Sequence, residues 1–419
     1  MKRLLSVTSF TALLTLSRML AGFLVAKVVA IYTGPAGLAM LGQLQNVIVS
    51  LNGLVSAPVG NGVVRYTAQY EKDGYRACSP WWRAALLWGG GLFVIFGALG
   101  IILSNKISQW LFHSLYYNYI IILALCMMPL SIIGTFVVSV INGQQRYRKY
   151  VILGMCSVLF SSTLMIYFSV NYKLDGALIA AVLQTGAIGL IYFIAALKEK
   201  WFSYVYLIGS IDKDKFWEIG KYLIMAIASA LSMPVAIIFI RNQLIDVLGW
   251  SAAGQWQAVW KISESYLSVI TIAMSVYYLP LLSKIDCIQE LKREVNRNAI
   301  VIVPIVFLLS VAVYLFRDSI ITILFTSEFR EARDLFAIQL IGNVIKVTSW
   351  LYAFPIISRG MAKTCILTEI VFSMLFVIFS VFFIRLYGLN GANIAYCINY
   401  TIYFFIVYFL LYYSKKVNV

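Results

Sequence analysis

Apolar runs recur so densely along this chain that few stretches longer than about 20 residues lack one. A helix needs a run of about that length to cross the hydrocarbon core of a bilayer. The backbone cannot leave its amides unpaired in lipid, so such runs must fold as helices. Of the 419 residues, 62% are hydrophobic and 12% charged, whereas a soluble domain is nearer half and a quarter. The sequence therefore predicts an all-α polytopic membrane protein with about twelve transmembrane helices. The expected spans are 5–31, 38–63, 84–103, 118–141, 150–169, 176–196, 219–240, 252–281, 298–316, 336–357, 364–384 and 391–412.

The net charge of +16 would point to nucleic acid in a soluble protein. Here topology accounts for it and no nucleic-acid partner is implied. With the N-terminus inside, 21 basic residues fall in inner segments: Arg65, Lys72, Arg76, Arg83, Arg146, Arg148, Lys149, Lys198, Lys200, Lys213, Lys215, Lys284, Lys292, Arg293, Arg297, Arg359, Lys363, and the terminal Lys2, Arg3, Lys415 and Lys416. Seven fall outside: Lys106, Lys173, Arg241, Arg317, Arg330, Arg333 and Arg385. That bias predicts that both termini are cytoplasmic. Trp81, Trp82, Trp201, Trp250, Tyr412 and Tyr413 fall at expected membrane interfaces, where amphipathic rings belong. The six cysteines form no metal-ligand spacing and no external pair, and His113 is the lone histidine, so no metal and no cofactor is implied. Lys2 and Arg3 precede an apolar run without a small-residue cleavage pattern, so the first span is expected to be retained.

An internal repeat is visible. Residues 172–180, YKLDGALIA, return as YGLNGANIA at 387–395, 215 positions later. ISQWLFHS at 107–114 returns as IITILFTS at 320–327, and Gly34-Pro35-Ala36-Gly37 has a looser echo in Ser251-Ala252-Ala253-Gly254. Each copy holds six spans, an even number, so both halves share one orientation and the repeat is parallel. The expected organisation is a six-helix lobe at 1–200, a cytoplasmic linker at 201–217 and a second six-helix lobe at 218–419.

The eighth span departs most from a lipid-facing helix. Gly254, Gln257, Lys261, Glu264, Ser268, Thr271 and Ser275 share one face at helical spacing. Val259, Ile262, Tyr266, Ile270, Ala273 and Val276 occupy the other. A polar face in a membrane must line a wet cavity. The second span, its counterpart in the repeat, carries Asn46 and other amides among small residues, which tight helix packing explains equally well.

Five basic residues sit within or near the ends of spans: Arg18, Lys27, Lys221, Lys261 and Lys346. Snorkelling accounts for Lys221, and for Lys27 nearly as well as a site does. Lys261 and Lys346 lie ~14 Å from their helix ends. A cation at that depth costs about 2.5–3.5 kcal/mol. An ion pair with Glu264, one turn away, is the plain structural reading of Lys261, but it leaves Arg18 and Lys346 unaccounted for. A surplus of buried positive charge implies an anionic substrate.

The stretches GQWQAVWKISESYLSVITIAMSVYYLPLLSK, KVVAIYTGPAGLAMLGQLQ, NGVVRYTAQY, MPVAIIFIRN and ARDLFAIQLIGNVIKV resemble the Wzx-type flippases of lipid-linked oligosaccharides, in particular the enterobacterial common antigen and O-antigen members. These belong to the multidrug/oligosaccharidyl-lipid/polysaccharide exporter superfamily. The resemblance implies two lobes forming a V in the bacterial inner membrane. It further implies movement of an undecaprenyl-diphosphate-linked repeat unit to the periplasmic leaflet, beside the polymerase and chain-length-determinant proteins of the same pathway. The family's cationic positions match Lys27, Arg241, Lys261 and Lys346, with a basic residue at Arg18. Gln257, Ser268, Thr271 and Asn46 would meet the sugars, and Glu264 is the coupling candidate. The family carries an aspartate where this chain has Asn343, so no coupling role carries over to the tenth span.

Two rival classes fare worse. A cation-coupled multidrug or small-molecule exporter of the same superfamily would want surplus acids in the cavity. A membrane polymerase or glycosyltransferase would need a large catalytic loop, and the outer segment 317–335 offers only Asp318, Glu328, Glu331 and Asp334. No enzymatic activity is expected.

Overall fold

A computed structural model of the chain describes the backbone of residues 2–413, and the side chains of 13–413 apart from Tyr222, Ile224, Met225 and Val276. The side chains of Lys2, Arg3 and Val276, and residues Lys415 and Lys416, named above in the charge count and on the apolar face, lie outside the described residues.

No strand occurs among the described residues. The helices are α1 (Lys2–Ser56), α2 (Asn61–Tyr70), α3 (Tyr75–Phe112), α4 (Asn118–Gly143), α5 (Tyr147–Ala196), α6 (Tyr204–Leu207) and α7 (Lys213–Ala273). They continue with α8 (Leu279–Leu282), α9 (Ile288–Leu315), α10 (Arg317–Leu324), α11 (Phe336–Ser358), α12 (Ala362–Tyr387) and α13 (Leu389–Tyr413). Among the described residues, nine helical stretches are long and apolar enough to cross a membrane. Three of them are two crossings joined through one non-helical residue: Gly34 in α1, Lys173 in α5 and Gly249 in α7. The expected twelve crossings are thus all present. Ile102, Leu159 and Ile300 are among many large apolar side chains left uncovered, a pattern that suits lipid and not water.

The structure departs from the sequence reading in several places. The second crossing stops at Ser56, not at 63, because Pro58 cannot continue the amide ladder; the separate helix α2 follows. The eighth runs to Leu282, as expected, but widens into a π-type turn at Met274–Tyr278 ahead of Pro280. Segment 317–335, expected as a loop, is helical, with α10 and a 3₁₀ stretch at Ser327–Leu335. Trp82 and Trp201 are not interface anchors: both are fully buried and pack edge-on against each other, with Phe136 in the same cluster.

The repeat is written in the backbone. Positive φ angles occur in pairs 215 positions apart: Gly34 with Gly249, Gln145 with Gly360, and Lys173 with Gly388. The last pair also share ψ, at −126° and −135°. Close packing repeats at the same spacing. A side chain on Gly176 would meet the carbonyl of Phe168 at 2.0 Å, and one on Gly391 that of Phe383 at 2.1 Å. Glycine is required at both because the chain doubles back on itself there.

The chain divides into two compact units, one of residues 1–33 and 40–235, the other of 34–39 and 236–419. In the first, the segment 201–217 is fastened down. Arg83 donates to the carbonyls of Val205 and Tyr206, and Trp88 Nε1 donates to the Phe216 carbonyl at 2.9 Å. Glu199, just before it, pairs with Arg146 at 2.7 Å and with Lys149. In the second unit, Met274, Tyr278, Leu282, Leu291, Val295 and Leu351 form a buried apolar cluster.

Candidate functional site

The second stretch of α7, after Gly249, is gripped by its neighbours through polar contacts at its start. Gln255 donates to the Glu328 carbonyl and accepts from the Ala332 amide, while Trp256 Nε1 donates to Asn393 Oδ1 at 3.0 Å. Gly254 packs backbone to backbone against Pro35, so closely that a Cβ would lie 2.0 Å from the Pro35 carbonyl oxygen. It is a packing residue and does not line a cavity. These contacts hold the helix face that follows, on which the charged residues sit.

Of the sequence-predicted residues, the second unit gathers Arg241, Gln257, Lys261, Glu264, Ser268, Thr271 and Lys346. Arg18, exposed, and Lys27 and Asn46, both half-buried, belong to the first unit. Arg241 is not in an outer loop. It lies inside α7, fully buried, donates to Gln257 Oε1 at 2.5 Å and rests over the Trp256 ring. Lys261 is half-buried and Glu264 exposed along the same face. No ion pair joins them: the carboxylate instead accepts from Trp260 Nε1 at 2.8 Å. The hydroxyls of Ser268 and Thr271 donate to their own helix, to the carbonyls of Ser265 and Leu267, so only their lone pairs remain to meet a sugar. Thr271 also lines a cavity of about 300 Å³ with Trp350, Thr368, Glu369 and Tyr403.

Lys346 does not stand on an open face. It is 9% exposed, and its Nζ lies over four rings: Trp350 at 4.9 Å, Tyr400 at 5.2 Å, Tyr396 at 5.4 Å and Trp260 at 5.8 Å. A cation held over an aromatic face gains about 0.5–2 kcal/mol. Four such contacts match the about 2.5–3.5 kcal/mol that a lysine costs at this depth. That is how the charge is tolerated without a carboxylate beside it. One turn away on the same helix, Asn343 is fully buried and fully engaged. It donates to Ser263 Oγ at 2.9 Å and Tyr266 Oη at 2.7 Å, and accepts from Gln339 at 3.2 Å and Tyr396 at 3.0 Å.

The aromatic wall and the Asn343 hub escaped the sequence reading. A signal was present: Trp256 and Trp260, Lys346 and Trp350, and Tyr396 and Tyr400 are each four apart, so each pair shares a helix face. Among the described residues, no cluster of His, Cys, Asp or Glu could hold a metal ion.

A twelve-crossing bundle built on a parallel repeat, with a cationic cluster inside apolar helices, defines a membrane transporter. The fold is that of a multidrug resistance MATE family transporter of the MOP superfamily, solved in an inward-facing conformation: TM-score 0.74 at 15% identity, over 97% of this chain and all of that one. It is also that of the lipid II flippase MurJ in its inward closed conformation, with TM-score 0.69 at 14% identity over 97% and 87% of the two chains. No family model matches the sequence. A whole-chain relative does: the lipid III flippase of Escherichia coli (strain K12) is 30% identical over 401 residues, 94% of this chain and 95% of the relative. The chain belongs to the lipid III flippase family, and is thus a transporter of the lipid-linked oligosaccharide flippase type.

Proposed function

We propose that this chain flips undecaprenyl-diphosphate-linked oligosaccharide repeat units from the cytoplasmic to the periplasmic leaflet of the inner membrane, for O-antigen or enterobacterial common antigen synthesis. The observation that carries this reading is the charge imbalance in the second unit. Lys346 is buried against four ring faces, and Lys261, among the described residues, forms no ion pair with Glu264 one turn away, whose carboxylate is held by Trp260. A diphosphate supplies the missing negative charge. Arg18 and Lys27 would extend the cationic path in the first unit. Gln257 and Asn46 would hydrogen-bond the sugars, and the polyprenyl tail would stay in lipid.

Transport proceeds by alternating access, with lobes 1–200 and 218–419 rocking about the site and 201–217 joining them on the cytoplasmic side. Both termini are cytoplasmic in this reading. Glu264, on the same helix face as Lys261, is the coupling candidate in this reading. The polymerase and chain-length-determinant proteins of the pathway would receive the flipped unit. The test is to remove the protein from cells and identify the lipid-linked glycan left on the cytoplasmic leaflet. A diphosphate-linked repeat unit should accumulate there, and no accumulation would refute the proposal.

A further inference from the structure

Buried cations inside proteins are ordinarily matched by carboxylates. Lys346 is matched by rings instead. Among the described residues no ion pair or hydrogen bond reaches its Nζ, and four aromatic faces from α7, α11 and α13 surround it. Two of these rings have their polar atoms committed elsewhere. The Tyr396 hydroxyl donates to Asn343 and the Trp260 N–H donates to Glu264, so each offers the ammonium its face alone. The rings are themselves held: Trp260 packs against Trp256, Tyr396 and Phe376, and Tyr396 against Tyr400.

We infer that Trp260, Trp350, Tyr396 and Tyr400 are positioning residues for transport: they store the Lys346 ammonium without a counter-ion until a substrate anion takes it, and Trp260 links that ammonium to Glu264. The inference rests on the diphosphate reading above. A carboxylate in the place of these rings would neutralise the lysine, and the substrate would have to displace it. A ring face stabilises the cation while adding no net charge, so the full charge stays available to an incoming phosphate. Trp260 has a double use, with its face toward Lys346 and its N–H on Glu264 at 2.8 Å. Withdrawal of the ammonium from that face is thereby felt at the carboxylate on the open side.

The test is nuclear magnetic resonance of the purified full-length protein labelled with ¹³C at lysine Cε. Ring currents should move the Lys346 ε-methylene protons upfield of the other lysines, the resonance being identified by its absence in Lys346→Arg. Trp350→Phe and Tyr400→Phe keep a ring and should keep the shift. Trp350→Leu and Tyr400→Leu should each reduce it, and the two combined should cut flipping by about tenfold. Geranyl diphosphate should move the wild-type resonance back toward the ordinary lysine position, and geraniol should not. An unshifted wild-type resonance, or one that geranyl diphosphate leaves in place, overturns the inference in a protein that still flips. A shifted resonance in a protein that flips no diphosphate lipid overturns the function proposed above and not the cage. The link to Glu264 is read from a double-mutant cycle. Glu264→Gln should change the rate in the wild type and not in Trp260→Phe, and additive effects would remove the link.

Discussion

At the scale of single residues, α11 carries two solutions to burying polarity. Lys346 is met by ring faces, and Asn343 by four hydrogen bonds. Truncating Asn343 leaves buried polar partners, Gln339, Ser263 and Tyr396 among them, without this hydrogen bond. Asn343→Ala should destabilise the protein by about 3 kcal/mol, given about 1–3 kcal/mol for each buried group left unsatisfied, and thermal unfolding in detergent would measure it. Lys346→Ala and Lys261→Ala should behave in the opposite way. Each removes a charge that is costly at its depth, so abundance should stay near normal while complementation of a deletion strain is lost. Arginine at either position should restore only part of the activity, because its planar fork is not a point charge. Immunoblots beside the complementation assay separate lost function from lost protein.

At the scale of elements, the turns carry the most specific expectations. Lys173 holds φ 49° and ψ −126°, a conformation natural to glycine, and its repeat partner at 388 is glycine at φ 58° and ψ −135°. Lys173→Gly should therefore stabilise by about 1 kcal/mol, strain relief outweighing the entropy glycine loses. Gly388→Ala should cost about 1–3 kcal/mol although no atom lies within 4 Å of the added carbon, so the cost is in the backbone alone. Melting of the two variants against the wild type checks both signs. The pair around Glu199 is pH-sensitive. Burial pushes its carboxyl up, but hydrogen bonds from Lys149 and Arg146 outweigh this and hold it below the usual carboxylate range. A carboxylate depressed in the folded state contributes stability above its unfolded value and loses it as pH falls through the folded one. Glu199→Gln should cost about 1 kcal/mol at neutral pH and almost nothing in acid, as melts across that range would show.

These elements also mark what was legible in the sequence. Apolar length gave the crossings, and YKLDGALIA against YGLNGANIA gave the repeat, because both are local patterns. The same alignment placed Lys173 opposite Gly388. The ring wall was not legible as a unit: Trp260, Lys346 and Tyr396 come from helices far apart in the chain, and spacing within one helix does not say which faces meet. Arg241 was misread for a related reason, since charge alone drew it out to a loop while Gln257 and Trp256 hold it inside.

At the scale of the whole molecule, orientation and transport are the open tests. Single cysteines at Lys106, Lys173 and Arg385, in a background without native cysteines, should react with an impermeant thiol reagent from the periplasmic side. Cysteines at Arg146 and Lys292 should react only after the inner membrane is opened, and the reverse pattern would invert the proposed topology. The most direct measurement is flipping of a fluorescent undecaprenyl-diphosphate oligosaccharide in proteoliposomes, read by its exposure to an impermeant quencher. The wild type should equilibrate the lipid between leaflets well above the protein-free rate, with Lys261→Ala and Lys346→Ala falling back to that rate. A wild type no faster than empty vesicles, or both alanine variants flipping at the wild-type rate, would contradict the account.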